Sequence, residues 1–542
     1  MARPKLKEMT LREKVGQTGM PGPGEVRRGV QRFGGYDAYF KQYPFCGLYV
    51  DSTITDNDGN KFDSPASVAQ TLCDASNKGK IPLFISCDFE MGANHMFPEL
   101  HRLTSNMSLG AALSKELAYE RGYLWAKEMK SLGINWPFGP VGDLLGNFFS
   151  TSGVRCMSDR TEVVTEIFPC LIKGIQDAGV AGNAKHFPSG SRDYRDTHFC
   201  SAINNSSRED WEMRMKPVWK SAIDAGVLTF MIGHSAFPAI DPSITRGKNI
   251  RPASASSRVN DLLRKDLGFD GVVVTDAVSM KGLAASFDHD DIYIECFNAG
   301  NDVILFVHDD YIDIMERAVL DGRVSMERLD ESVNRILDLK EKIGLFDGDA
   351  RPAPMLTEKE KKRFDDVNYN IAKRALTLLN NESGSLPFDK EKVKKVTIIG
   401  ISPDRPFLDS LSVMAEAFRE KGIRANVIEN IESKEALKKL AETEDIIIYA
   451  CCLAQGFLKG MPFYSAPENL LTLFDSLAFG AEKTVIASFD VPSIYYNYFE
   501  SSDMYINAYS SDAGTMKAFV DGILGEFEFT GKSPVALEPK FV

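Results

Sequence analysis

The chain has 542 residues, 44% of them hydrophobic and 26% charged, an ordinary globular composition that is too long for one typical core and suits two to four domains. A net charge of -13 disfavours nucleic acid or anionic membrane as the main partner, since both require clustered Lys and Arg. The opening MARPKLKEMTLREKVGQ lacks the apolar core of a secretory signal, and the longest apolar run, near IIIYACCLA, is far short of a membrane span.

In chain order, the first 310 residues alternate short apolar runs with amphipathic segments. The runs are VGQTGM, CGLYV, PLFISCD, INWPFGPV, VAGNAKHF, VLTFMIGH, GVVVTDA and DVILFV. Near-continuous apolar strands separated by helical patterns indicate a parallel sheet covered on both faces. Eight of them over this length fit a (β/α)8 TIM-like barrel spanning 1–346, closed by the helical stretch MERAVLDGRVSMERLDESVNRILDLKEKIGLF. The Pro- and charge-rich DGDARPAPMLTEKEKKRFDD opens a connecting region over 347–389, which ends in a helical pattern, NYNIAKRALTLLNN. Strand patterns KVTIIGI, ANVIENI, DIIIYACC, KTVIASF and DMYINAY then suggest a smaller α/β sandwich domain over 390–542.

The nine cysteines are odd in number and show no C-x-x-C, which reads as free thiols in a reducing compartment and favours the cytoplasm.

Charged residues end six of the eight barrel runs: Asp88, Asp143, Lys185 with His186, His234, Asp276 and His308. Strand C-termini of a barrel converge on one bowl, so these groups are expected to share a site. Asp276 closes the seventh run; it could cap the following helix, or act as a nucleophile toward a sugar's anomeric carbon. The fifth run leads into KHFPSGSRDYRDTH, with three cations, two carboxylates and two histidines in fourteen residues. Asp196 and His198 stand two apart there, so in an extended loop both side chains project to one side and the carboxylate can hold the imidazole by one ring nitrogen. Lys185, His186, Arg155 and Asp88 read as binding groups for sugar hydroxyls, although Arg155 and Asp159 could form a surface ion pair. No H-x-H stands in the first strand, no H-E-x-x-H occurs, and the glycines of MPGPGEVRRG lack G-x-G-x-x-G spacing, so neither a metal nor a phosphate cradle is expected.

These residues resemble family 3 glycoside hydrolases, in particular the β-N-acetylglucosaminidase branch. The resemblance runs from MTLREKVGQ through SCDFEMG, INWPFGPVGD, GVRCMSD, KHFPSGSRDYRDTH, MIGHSAFPAID, LLRKDLGFDGVVVTDAVSMKGL and NAGNDVIL to ALTLLNNESGSLPF and TGKSPVAL. It implies Asp276 as nucleophile, His198 paired with Asp196 as general acid/base, and Asp88, Arg155, Lys185, His186 and His234 around the sugar. It also implies a carbohydrate substrate, β-N-acetylglucosaminides, and no cofactor. The chain departs from the branch at DFEMGANH, where D-Q-E-G-G-R-V is usual, at FPSGS for F-P-G-H-G, and at Ser201-Ala202 for L-P. The alternatives are a β-glucosidase of the same family with a second-domain acid such as Glu468, a phosphorylase, and a sugar-binding protein without turnover.

Overall fold

The computed structural model describes residues 2–147, 150, 152–189, 193–246, 249–429, 433–453 and 480–538. The chain forms two compact units, Met1–His101 with Ala118–Asp143 and Phe168–Glu360, and Arg102–Leu117 with Leu144–Ile167 and Lys361–Val542.

Among the described residues of the first unit, eight short strands coincide with the eight apolar runs. They are β1 (Gly19–Pro21), β2 (Gly47–Tyr49), β3 (Phe84–Cys87), β4 (Trp136–Pro137), β5 (Asn183–Phe187), β6 (Thr229–Ile232), β7 (Val272–Thr275) and β8 (Ile304–Val307). Parallel pairing joins β1 to β8, β2 through β3 to β4, and β5 through β6 to β7. Further backbone hydrogen bonds seal the remaining joints. The Cys46 N–H donates to the Gly19 carbonyl at 3.1 Å, Asn183 N–H to Gly139 at 2.8 Å and Thr275 N–H to Val303 at 3.1 Å. The ring therefore closes, as a (β/α)8 barrel requires. Met20, Phe84, Trp136, Met231, Val272 and Leu305 fill its core.

The closing helix Met326–Lys342 shows why such segments pack as they do. Ser325 caps it by accepting from the Arg328 N–H. Leu329, Val333, Ile336, Leu337 and Lys340 recur at three- and four-residue spacing on its buried face.

Among the described residues, the second unit is built on a six-stranded sheet of β9 (Thr377–Asn381), β10 (Lys395–Ile401), β11 (Arg424–Ile428), β12 (Ile446–Cys451), β13 (Thr484–Ser488) and β14 (Met504–Asn507). The order is β11-β10-β12-β13-β14-β9, parallel except for the edge strand β9, which runs antiparallel to β14. Apolar clusters cover both faces of the sheet. TLLNN thus corrects the helical expectation for NYNIAKRALTLLNN: the helix Glu358–Ala375 stops and the next residues become β9, because β14 offers an open edge.

Two segments of the 1–346 span, Arg102–Leu117 and Leu144–Ile167, pack with this second unit. Their anchors are polar: Arg102 Nη2 donates to Ser511 Oγ at 2.7 Å, Thr104 Oγ1 to Asn368 Oδ1 at 2.9 Å, and the Ala536 N–H to Asp159 Oδ2 at 3.0 Å. Among the described residues, no helix is long and apolar enough to cross a membrane, and all nine cysteines are free thiols.

Candidate active site

The strand ends bring the expected charges together at the barrel mouth. After β3, Asp88 and Glu90 flank one ammonium: Lys185 Nζ, from β5, lies 2.5 Å from Asp88 Oδ1 and 2.6 Å from Glu90 Oε1. Lys185 is buried while Asp88 remains exposed, so the pair presents a carboxylate to the bowl and keeps its cation beneath. The Tyr49 hydroxyl donates to Asp88 Oδ2 at 3.1 Å and fixes the second oxygen.

His186, next on β5, is held by Asp143, whose Oδ2 sits 2.8 Å from Nδ1 and whose Oδ1 accepts the His186 N–H at 3.0 Å. Burial would raise the Asp143 carboxyl, but the His186 imidazole, the Ser189 hydroxyl and the His186 N–H outweigh it and hold it below the usual range.

Asp276 leaves β7 with its N–H donated to the Ile232 carbonyl at 2.9 Å, and its Oδ1 accepts the Ala277 N–H at 2.7 Å. Burial again pushes the carboxyl up. His186, His234, the Ala277 N–H and Lys185 together push it further down, so Asp276 is ionised below the ordinary carboxylate range. Burial holds His234 itself below its usual range.

His234 differs from its expected place among the sugar ligands. It is buried with both nitrogens engaged, Nδ1 at 2.8 Å from Ser254 Oγ and Nε2 at 2.9 Å from the Ala277 carbonyl. It braces the turn that carries Asp276.

The dyad is formed inside its own loop. His198 Nδ1 lies 2.5 Å from Asp196 Oδ1, which also accepts the His198 N–H at 2.9 Å. Asp193 shapes the approach by binding Arg195 through both carboxylate oxygens and accepting the Ile203 N–H at 3.0 Å. Residues 190–192 lie outside the described residues.

The loop is stapled to the segment that follows Asp276. The Gly282 N–H donates to the Thr197 carbonyl at 2.9 Å and the Lys281 N–H to the His198 carbonyl at 3.4 Å. On its other flank, Asn204 N–H donates to Ala236 at 2.7 Å and Ala236 N–H to Ala202 at 2.9 Å. The His198 ring comes close enough to His234 for its charge to disfavour protonation there. Dyad and nucleophile candidate therefore lie in one neighbourhood.

Arg155 ends the short turn Gly153–Arg155 in the second unit, where its carbonyl accepts from Asn106 Nδ2 at 2.9 Å. Glu468 lies outside the described residues. Sequence reasoning missed Glu90 as the second partner of Lys185, although its i, i+2 spacing from Asp88 was a usable signal. It recorded Asp143 only as a strand end, because a pairing across 43 residues leaves no local trace.

Residues 10–339 match the glycosyl hydrolase family 3 N terminal domain. The chain is 29% identical over 522 residues to a β-N-acetylglucosaminidase/β-glucosidase from Cellulomonas fimi, covering 92% of this chain and 90% of that protein. It is 32% identical over 292 residues to β-hexosaminidase A from Pseudoalteromonas piscicida, covering 49% and 48% of the two chains. A family 3 β-N-acetylglucosaminidase structure from Paenibacillus sp. str. FPU-7 superposes with a TM-score of 0.81 at 26% identity, over 98% of this chain and 99% of that one. A β-glucoside phosphorylase, BglX bound to 2FGlc, has a TM-score of 0.82 at 23% identity over 98% and 95%, a likeness of fold. With the family match covering more than half of its length, the chain belongs to glycosyl hydrolase family 3 and is a glycosidase.

Proposed function

We propose that the protein is a retaining exo-β-N-acetylglucosaminidase that releases terminal β-linked N-acetylhexosamine by double displacement. The observation that carries this reading is the backbone staple between the Asp196–His198 loop and the segment after Asp276. It lets an acid/base from one loop and a nucleophile from a strand end serve the same sugar.

In the first step an Asp276 oxygen attacks the anomeric carbon. The bond to the leaving oxygen breaks, and that oxygen takes a proton from His198 Nε2, the ring nitrogen opposite the Asp196 contact. In the second, a water gives its proton to the same imidazole, its oxygen attacks the anomeric carbon, and the Asp276 ester bond breaks. Two inversions retain the β configuration. Asp196 orients the ring and offsets the charge it carries before the first step and after the second. Asp88, Lys185 and His186 are the direct sugar contacts in this scheme, with Asp143, Glu90 and His234 holding them or the nucleophile in place.

The relatives named β-N-acetylglucosaminidase and β-hexosaminidase support the N-acetyl preference, and the Cellulomonas relative's double name makes glucosides the second substrate class to test. Nine free thiols suit a reducing compartment, and we place the protein in the cytoplasm. The test compares Asp276→Asn and His198→Ala with wild type on methyl N-acetyl-β-glucosaminide and methyl β-glucoside, with and without phosphate. Loss of turnover in both variants and a wild-type preference for the N-acetyl sugar in plain buffer are expected. Undiminished turnover in either variant rejects the residue roles, a glucoside preference rejects the substrate, and a phosphate requirement rejects hydrolysis.

A further inference from the structure

Phe306 breaks the regularity of β8. From Asn301 to Val307 every other residue is buried, whereas Phe306 is only partly so. Its φ is +64°, a left-handed conformation that is a genuine outlier for an aromatic residue inside a strand. The pairing with β1 explains how it arises: Gly19 faces Ile304 and Met20 faces Leu305, but Pro21 faces Val307. Phe306 is the extra residue of a bulge, at a position where glycine is the unstrained choice. Bulges of this kind re-aim a side chain beside a site, and strained residues persist where function holds them.

The ring's neighbours show where it has been aimed. Its centroid lies 4.9 Å from that of Tyr49 with the planes at 83°, an edge-on contact. Tyr49 is the residue whose hydroxyl holds Asp88 Oδ2 at 3.1 Å. Across the bulge, a Cβ on Gly22 would stand 3.3 Å from Phe306 Cγ, so the glycine leaves the ring its room. The ring thus packs on the tyrosine that holds Asp88.

We infer that Phe306 is the apolar wall of the sugar pocket, packing against the C–H face of the terminal pyranose whose hydroxyls Asp88 and Lys185 bind. A pyranose has one polar rim and apolar faces, and an aromatic ring is the usual partner for such a face. The inference rests on the glycosidase reading of this mouth and adds a residue that determines specificity for the sugar rather than for its leaving group.

The experiment compares Phe306→Gly and Phe306→Tyr with wild type. Binding of N-acetylglucosamine and of glucose is measured by calorimetry, alongside kcat/KM on methyl and aryl glycosides and the thermal midpoint. Glycine suits the positive φ, which offsets the packing lost with the ring, so the midpoint should change little, while Kd and KM for the preferred sugar rise roughly tenfold or more. That factor should be the same for methyl and aryl aglycones, and Phe306→Tyr should restore wild-type affinity. Affinity within about twofold of wild type in Phe306→Gly, a fall in midpoint or failure to fold in that variant, or wild type binding neither sugar would each overturn the inference. A wild type that prefers glucose sinks the N-acetylglucosaminidase reading alone, since the wall is then judged on glucose.

Discussion

A methyl group at Gly282 would stand 2.9 Å from the Thr197 carbonyl oxygen and 3.0 Å from that of Cys200. Both are backbone atoms of the loop that carries His198, so neither can swing aside as a flexible side chain would. Gly282→Ala therefore forces the loop outward and stretches the 2.9 Å hydrogen bond from the Gly282 N–H to Thr197. Losing that bond costs about 1 kcal/mol and the overpacking at least about 1 kcal/mol more. A total of about 2 kcal/mol lowers the docked fraction of the loop by up to roughly 30-fold. Asp276 stays in place, because its own contacts are to Ile232 and Ala277.

The assay is kcat/KM on N-acetyl-β-glucosaminides of differing leaving group. The methyl glycoside, which needs protonation, should lose about 10- to 30-fold, whereas the dinitrophenyl glycoside should change by less than about threefold. Equal losses on both, or none on either, would refute the idea that this staple positions the acid.

Three further outcomes follow from buried charges. Asp302, with no exposed surface, accepts from Arg264 Nη2 at 2.6 Å, Arg335 Nη1 at 3.0 Å and Ser332 Oγ at 2.7 Å; Asp302→Ala strands these cations and should cost about 3–5 kcal/mol in denaturant unfolding. A loss under about 1 kcal/mol would contradict that role. Burial pushes Lys340 down to about 7, although its ammonium donates to Gln17 Oε1 at 2.7 Å and to the Cys46 carbonyl at 3.0 Å. The unfolded chain, with lysine near 10.4, binds the proton that the folded chain releases, so stability should rise between about pH 7 and pH 10 by at most roughly 4 kcal/mol. Lys340→Met should flatten that rise, and an unchanged slope would rule it out. Asp276 is held below the ordinary carboxylate range, so its acid limb in kcat/KM should fall below about pH 3.9, and Lys185→Met should move it upward by removing one of the groups that lower it. A limb that stays put in the variant speaks against the electrostatic assignment.

The barrel strands were legible because each is a compact apolar run, buried on both faces and punctuated by turn residues. The strand β9 was not, since TLLNN continues a helical pattern without a breaker and becomes a strand only where β14 presents its edge. The same limit applies to Arg102–Leu117 and Leu144–Ile167: their patterning marks them as structured but says nothing about which unit they join. Of the site, the strand-end charges and the Asp196–His198 spacing could be read directly. The long-range pairings could not, neither Asp143 with His186 nor Glu90 with Lys185, because they depend on register around the ring. His234 looked like a ligand for the same reason: a histidine at a strand end gives no sign that both its nitrogens will be taken by Ser254 and Ala277. Phe306 was invisible as well, since a bulge appears only when the two paired strands are counted against each other.

The most direct measurement is mass spectrometry of His198→Ala caught during turnover of dinitrophenyl N-acetyl-β-glucosaminide. That leaving group departs with little protonation, so the first step proceeds, while the missing imidazole leaves the second without its base. The expected result is one N-acetylhexosamine on the peptide that contains Asp276, accumulating in His198→Ala and absent from Asp276→Asn. Rapid turnover by His198→Ala with no adduct on that peptide would contradict the pairing of these two residues.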